Sequence, residues 1–391
     1  MLYGFSIASF QYEEMNNNSD WYAWITDPTN LFLNKVSGEL PTRNYYITKY
    51  SQIHDLALKV NANAWRLSFS WEKLVPKKDK ISTEYLNLYR KILKDLKDKG
   101  FKIFACLNHF VLPLWLHDPI KARESLMTQG PLGWFDKSII DEFLKFSLLI
   151  YDNFSEYIDY ICTFNEPNNM IDFGYLAGYF PPGITSNYVA EKVRNNVIEA
   201  HNKVYEELSR KGAKVGIVYM IPAIQGEDNV KKEAEKRLVW DFLDKIKIDW
   251  IGVNYYSRIK LDKKGIPLHG YGFFCEKDSS SLDGNPTSDY GWEVYPEGIT
   301  QVLESVKRIE KPIYVTENGV ADERDYLRPR FILDHLNAIK SSRVKVEGYF
   351  HWSLLDNYEW NFGYNMKFGL YDINMNPRPS AYIFKEITYM P

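Results

Sequence analysis

Eight short, nearly unbroken apolar runs recur along the chain and alternate with amphipathic stretches of helical spacing. The runs are LYGFSIAS from Leu2, AWRLSFSW from Ala64, KIFACLNHF from Lys102, YICTFNEP from Tyr160, KVGIVYMIP from Lys214, DWIGVNYYS from Asp249, PIYVTENG from Pro312 and VEGYFHWSLLD from Val346. Near-continuous apolarity suits strands covered on both faces, and their alternation with helices is the mark of βα units on a parallel sheet. Eight such units predict an α/β fold, a single (β/α)8 TIM barrel. A length of 391 residues would also allow two or three domains. No linker, low-complexity tract or repeat beyond the βα period divides the chain, so one catalytic domain over residues 1–391 is the expectation.

The intervening helices carry a core stripe. In STEYLNLYRKILKDLKDKG, residues Tyr85, Leu88, Tyr89, Ile92, Leu93 and Leu96 fall on one face, with Lys and Asp opposite, and Gly100 supplies a C-terminal stop. Connections are long after strands, as in Gln11 to Asn44, Val111 to Phe135, Asn168 to Tyr188 and Arg258 to Trp292, and short before them. The long βα loops therefore gather at the C-terminal face, the end where barrel enzymes place their sites.

Two of the strands end unusually. ICTFNEP delivers Glu166 and IYVTENG delivers Glu317, each after a buried apolar run and beside an Asn. Burying a carboxylate costs several kcal/mol unless something compensates it. A single such Glu is more often a solvated loop residue or a turn cap. Two of them, at the ends of the fourth and seventh strands, face one barrel mouth and form the equipment for acid/base or nucleophilic work on a glycosidic bond.

The composition excludes other classes. A net charge of −3, with Lys and Arg spread along the chain, gives no footprint for nucleic acid. Cys106, Cys162 and Cys275 form no even framework, which suits a reducing compartment. The start at Met1 shows no basic segment or small-residue cleavage site. The longest uncharged apolar window, Ile103 to Leu116, is too short to span a bilayer. A cytoplasmic protein without a membrane partner is expected. The seven His never recur at metal-ligand spacing, the closest pair being His109 and His117, and HGYGF lacks the third Gly of a phosphate loop. No metal or cofactor is expected. A Schiff-base lyase would want a Lys at a strand end, and none of the eight runs ends in one. A sugar-binding barrel without chemistry stays open as the rival, although both carboxyls are present.

The segments TFNEPN, YVTENGVAD and WSLLDNYEW resemble glycoside hydrolase family 1, the retaining β-glycosidases with (β/α)8 barrels. FSIASFQYE, WRLSFSW, LNHF, GVNYYS, GWEVYPEG and GYFHWSLLDNYEW follow in the family's order, and DWYAWITDP, VSGELP and LPLWLHDPI look most like its archaeal members. The resemblance implies Glu317 as nucleophile and Glu166 as acid/base, with Arg66 beside the nucleophile, Tyr256 donating to it and Asn165 contacting the sugar 2-OH. It implies Gln11, His109, Glu359, Trp352 and Trp360 as the pocket for the non-reducing-end sugar. Such a pair works at about 5 Å separation. Two like charges there repel by roughly 3 kcal/mol at an effective dielectric near 20, or about 2 pKa units, enough for Glu317 to keep Glu166 protonated.

The resemblance further implies an unphosphorylated glucoside, galactoside or fucoside, or an aryl or alkyl β-glycoside, as substrate. A β-mannosidase or a transglycosidase of the same family is the alternative, and a homo-oligomer is left open. Two departures stand out. Gln11-Tyr12-Glu13-Glu14 replaces the usual Gln-x-Glu-Gly, so a different backbone path after Gln11 is expected, and His109 precedes Phe110 where archaeal relatives carry Trp.

Overall fold

In the computed structural model, which describes residues 1–389, all eight runs are parallel strands of one closed barrel. They span Leu2–Ser6, Ala64–Ser68, Lys102–Asn108, Tyr160–Asn165, Val215–Met220, Trp250–Asn254, Ile313–Asn318 and Val346–His351. Each pairs with its neighbours in chain order, and the first closes the ring by pairing with the second at Gly4–Ala64 and with the eighth at Leu2–Gly348. Nearly every strand residue is buried, which is why the runs read as continuously apolar rather than alternating.

The lower half of the barrel is filled by rings. Phe104 stacks on Tyr160 at 4.4 Å and meets Phe350, Tyr314 and Trp250 edge-on at 4.9, 5.1 and 5.4 Å. Ala64, Cys106, Cys162 and Val218 complete this inner cluster. A plug so packed makes the barrel solid, and offset and edge-to-face contacts add about 0.5–1.5 kcal/mol each to the area buried. The floor beneath the site is therefore rigid.

The predicted helix is Thr83–Asp98, with Tyr89, Ile92, Leu93 and Leu96 fully buried and Tyr85 and Leu88 at the edges of the stripe. Burying such side chains contributes about 1.5–3 kcal/mol each. Ser82 Oγ accepts from Tyr85 N at its start, and Gly100, at φ +83°, reverses the chain in the left-handed region at its end.

Two features were not visible in the sequence. The long loops hold short helices, such as Ser9–Tyr12, Asp20–Thr26 and Pro167–Ile171, instead of open coil. Beyond the rim, Ala223–Gln225 and Arg258–Lys260 pair as a separate two-stranded parallel sheet. Strands five and six part at the rim and meet again, and three-residue runs are too short to show a period. No helix among the described residues is long and apolar enough to cross a membrane.

Register shifts cluster near the C-terminal rim. They fall between Cys162 and Asn165 on strand four, between Val253 and Asn254 on strand six, and between Tyr349 and His351 on strand eight. An extra residue in a strand re-aims the side chains that follow it. These shifts sit immediately before the polar residues of the mouth.

Candidate active site

Arg66 comes from the middle of the second strand and is fully buried. Its long side chain reaches up to the mouth. One Nη donates to Glu317 Oε1 and the other to Asn165 Oδ1, both at 2.6 Å. Tyr256 OH donates to Glu317 Oε2 at 2.8 Å, so both oxygens of Glu317 are engaged and the carboxyl is held in one orientation. Burial, then the charge of Glu317, hold the Tyr256 hydroxyl well above its usual pKa, so it remains a donor.

An arginine cannot accept, and this decides the rest of the network. Because Arg66 donates to Asn165 Oδ1, the amide's Nδ2 must face His109 Nε2, 3.0 Å away. His109 therefore accepts at Nε2 and carries its proton on Nδ1, a tautomer assigned from these partners. Burial, reinforced by the charge of Arg66, pushes the His109 pKa far down and keeps the ring neutral. His109 Nδ1 has no protein partner, and neither has the buried Gln11 Oε1. Both are free to meet hydroxyls of a ligand.

Glu166 lies one residue beyond the fourth strand, at φ +43° and ψ +56°. The left-handed backbone is uncommon for a non-glycine residue and costs of order 1–3 kcal/mol; it turns the chain sharply into the helix opened by Pro167. Glu166 N donates to Val218 O at 2.8 Å and anchors that turn. Its Oε1 accepts from Asn254 Nδ2 and its Oε2 from Asn169 Nδ2, both at 2.7 Å. Burial, then the charge of Glu317, raise the Glu166 pKa to about 8, against the opposing pull of those two amides. A protonated carboxyl at neutral pH is the consequence.

Gln11 Nε2 reaches Asn357 Oδ1 at 3.0 Å and Glu359 Oε2 at 2.9 Å. Burial and the charge of Glu317 raise Glu359 to about 8 as well. Trp360 stacks on Phe10 at 5.7 Å and tilts against Trp21 at 4.5 Å, while Trp352 meets Tyr12 edge-on at 6.3 Å. With exposures of 7% and 3%, only a small part of either tryptophan is open to a ligand. Of the ten residues named from the sequence, Glu166, Glu317, Arg66, Asn165 and Tyr256 form a carboxyl cluster, which Asn165 links to His109 and His109 to Trp360, stacked at 5.8 Å beside Glu359 and Gln11, while Trp352 packs on Tyr12.

The departure after Gln11 has a structural account. Glu13 turns away from the pocket and accepts from Ser70 Oγ, Lys73 Nζ and Tyr89 OH at 2.7, 2.7 and 2.6 Å. Glu14 accepts the backbone N–H groups of Ile47 and Thr48 at the start of helix Tyr46–Lys59, where a carboxylate satisfies unpaired donors. A glycine could not supply that cap.

Four partners escaped the sequence reading: Asn254, Asn169, Asn357 and Tyr290. Asn254 carried the same signal as the chosen residues, a polar group closing an apolar strand in GVNYYS. Thr316 Oγ1 donates to its Oδ1 at 2.7 Å, which turns its Nδ2 toward Asn165 and Glu166. Tyr290 lies in the long loop after strand six, where no period marks it.

A barrel with paired carboxyls at its C-terminal mouth, one on a guanidinium and the other raised to about 8, is the arrangement of a glycoside hydrolase. The model of glycosyl hydrolase family 1 matches residues 1–240 and 224–390, and the chain belongs to that family. It is 37% identical to a β-galactosidase of Saccharolobus solfataricus over 98% of this chain and 93% of the relative. The β-glycosidase of the hyperthermophile Thermosphaera aggregans superposes with a TM-score of 0.95 at 33% identity, covering 99% of this chain and 95% of the other. A β-glucosidase mutant derived from a hyperthermophilic tetrameric structure gives 0.94 at 35% identity, covering 99% and 94%.

Proposed function

We propose that the protein is a retaining β-glycosidase that hydrolyses terminal, non-reducing, unphosphorylated β-D-glycosides of the glucoside, galactoside or fucoside type by double displacement. The observation that carries this reading is the asymmetry of the two carboxyls. Glu317 rests on the Arg66 guanidinium at 2.6 Å, while Glu166, facing the same cluster, is raised to about 8.

Glu317 attacks the anomeric carbon as Glu166 gives its proton to the glycosidic oxygen, so the aglycone leaves as a neutral alcohol. The new ester bond removes the charge of Glu317. With that charge gone, the Glu166 pKa falls, and the carboxylate takes a proton from water as the water attacks the same carbon, breaking the ester bond and releasing the Glu317 carboxylate. Two inversions retain the β configuration. Asn165, pinned by Arg66 and His109, keeps one Nδ2 hydrogen for the sugar 2-OH, a bond that strengthens as positive charge develops at the ring. Gln11, His109 and Glu359 serve the remaining hydroxyls, and Trp352 and Trp360 border the ring. Phe368, packed on the Tyr290 ring, offers a phosphate neither charge nor hydroxyl, which favours an unphosphorylated sugar.

In this reading the chain is one catalytic domain in the cytoplasm. Self-association is supported by its likeness to the β-glucosidase of tetrameric origin. The test is turnover of nitrophenyl β-glycosides, with the product anomer followed by NMR. Release of the β anomer first is expected. The α anomer first would overturn retention, and binding of sugars without any turnover would favour a sugar-binding barrel.

A further inference from the structure

Tyr290 brings a hydroxyl to the sugar pocket from outside the motifs that define it. Its OH points to Glu359 Oε1 at 3.5 Å, while Glu359 Oε2 is already held by Gln11. The ring is fixed from several directions. It stacks on Trp292 at 4.2 Å and 9°, takes Phe362 edge-on at 4.8 Å, and has Phe368 at 6.1 Å. Trp292 in turn lies 5.5 Å from Tyr256, the donor to Glu317. A ladder of rings therefore runs from the nucleophile's donor to the far end of the sugar pocket, and Tyr290 is its last rung.

A tyrosine needs no hydroxyl to stack, so the OH calls for a separate explanation. At 3.5 Å its bond to Glu359 is at the long limit for an O–H···O contact, longer than the 2.6–3.2 Å bonds elsewhere in the cluster. A loosely held rotor beside a buried carboxyl is open to exchange. When a sugar hydroxyl reaches Glu359 Oε1, the Tyr290 hydroxyl can keep donating to that oxygen or donate to the incoming hydroxyl, and its own lone pairs can accept. Burial and the neighbouring Glu359 keep the phenol protonated well above its usual pKa. It is a neutral donor at any working pH.

We infer that Tyr290 is a specificity-determining residue, whose hydroxyl works with Glu359 to read the sugar hydroxyl that Glu359 accepts. This rests on the β-glycosidase reading above. A phenol on a stiff ring stack cannot follow a hydroxyl that changes from equatorial to axial, whereas a flexible side chain could. Epimers differing at that carbon should therefore feel its loss unequally.

Tyr290→Phe removes the hydroxyl and keeps the stack. Across nitrophenyl β-glucoside, β-galactoside, β-fucoside and β-mannoside, KM for the best substrate is expected to rise about three- to tenfold, the worth of one neutral hydrogen bond. The kcat should stay within about twofold, and the KM ratio between the glucoside and galactoside should change by at least about threefold. Tyr290→Trp, which keeps an aromatic ring but places its donor differently, should not restore the ratio. Wild-type KM values throughout the panel for Tyr290→Phe, or an equal loss on every sugar, would overturn the inference while leaving the β-glycosidase reading intact. If the unmodified protein turned over none of the panel, the failure would belong to that earlier reading, and the inference would fall with it.

Discussion

Asn254 donates from Nδ2 to Glu166 Oε1 at 2.7 Å while standing opposite Glu317 in the register of strands six and seven. One amide thus ties Glu166 to the strand of Glu317, and its orientation is locked by Thr316 on that same strand. The two carboxyls differ in their partners, Arg66 and Tyr256 for Glu317 against two amides for Glu166, each fixed by the strand or loop that carries it. That built-in difference is what the proposed division of roles between the two glutamates requires.

A 2-fluoro glycoside with a good leaving group should label the peptide carrying Glu317. The fluorine slows both displacements, the leaving group rescues the first, and the ester accumulates. Mass spectrometry of a peptic digest checks the site. A label on Glu166, or no label despite turnover, would reject the assignment.

Glu166→Ala should lower kcat by at least about a hundredfold on substrates with poor leaving groups, the usual scale for general acid catalysis. With dinitrophenyl glycosides the first step needs no proton, so the glycosyl-enzyme forms and waits. Added azide should speed its release and yield a β-glycosyl azide. Kinetics unchanged by the substitution would remove Glu166 from the chemistry.

The pH profile carries a sign. Glu166 must be protonated in the free enzyme, and its pKa is raised to about 8 by burial and the charge of Glu317. The kcat/KM should therefore fall tenfold per unit above about pH 8. Glu359 also titrates near 8, raised by burial and the charge of Glu317. Glu166→Ala assayed on an activated aryl glycoside separates them, because an alkaline limb that persists there belongs to Glu359.

The same shift predicts a stability effect. A carboxyl whose folded pKa is raised binds its proton more tightly in the native state. The stability this contributes is complete below the unfolded pKa, near 4.3, and is lost as pH rises through about 8. Glu166→Gln never loses it. The unfolding free energy of Glu166→Gln, and its Tm with it, should therefore pull ahead of the unsubstituted protein between pH 5 and 8, by up to about 1.4 kcal/mol per pH unit. Calorimetry across that range checks the trend, and parallel Tm curves would contradict it.

Some of this was local chemistry and some was not. The eight strands were legible because burial on both faces leaves an unbroken apolar run, and the helix Thr83–Asp98 because burial of one face imposes a period. Glu166 and Glu317 stood out because a charge after a buried run is costly wherever the chain goes. TENG also hides a contact. A Cβ on Gly319 would come within 1.7 Å of the Trp352 carbonyl, on the segment after strand eight, so only glycine lets the two loops pass. That requirement belongs to the approach of two segments and leaves no mark on either alone.

By itself the sequence determined the barrel, the end of the barrel where the long loops gather, and which two carboxyls close its fourth and seventh strands, since apolar runs and strand order are properties of the chain read in one dimension. Tertiary structure decided that Arg66 rises from mid-strand, that Asn254 ties Glu166 to Thr316 on the strand of Glu317, that His109 is neutral with its proton on Nδ1, and that Tyr290 reaches Glu359. Each of these depends on distances of a few ångströms between residues far apart in the chain, set by strand register and ring packing. Only the closed barrel brings them within reach of one another.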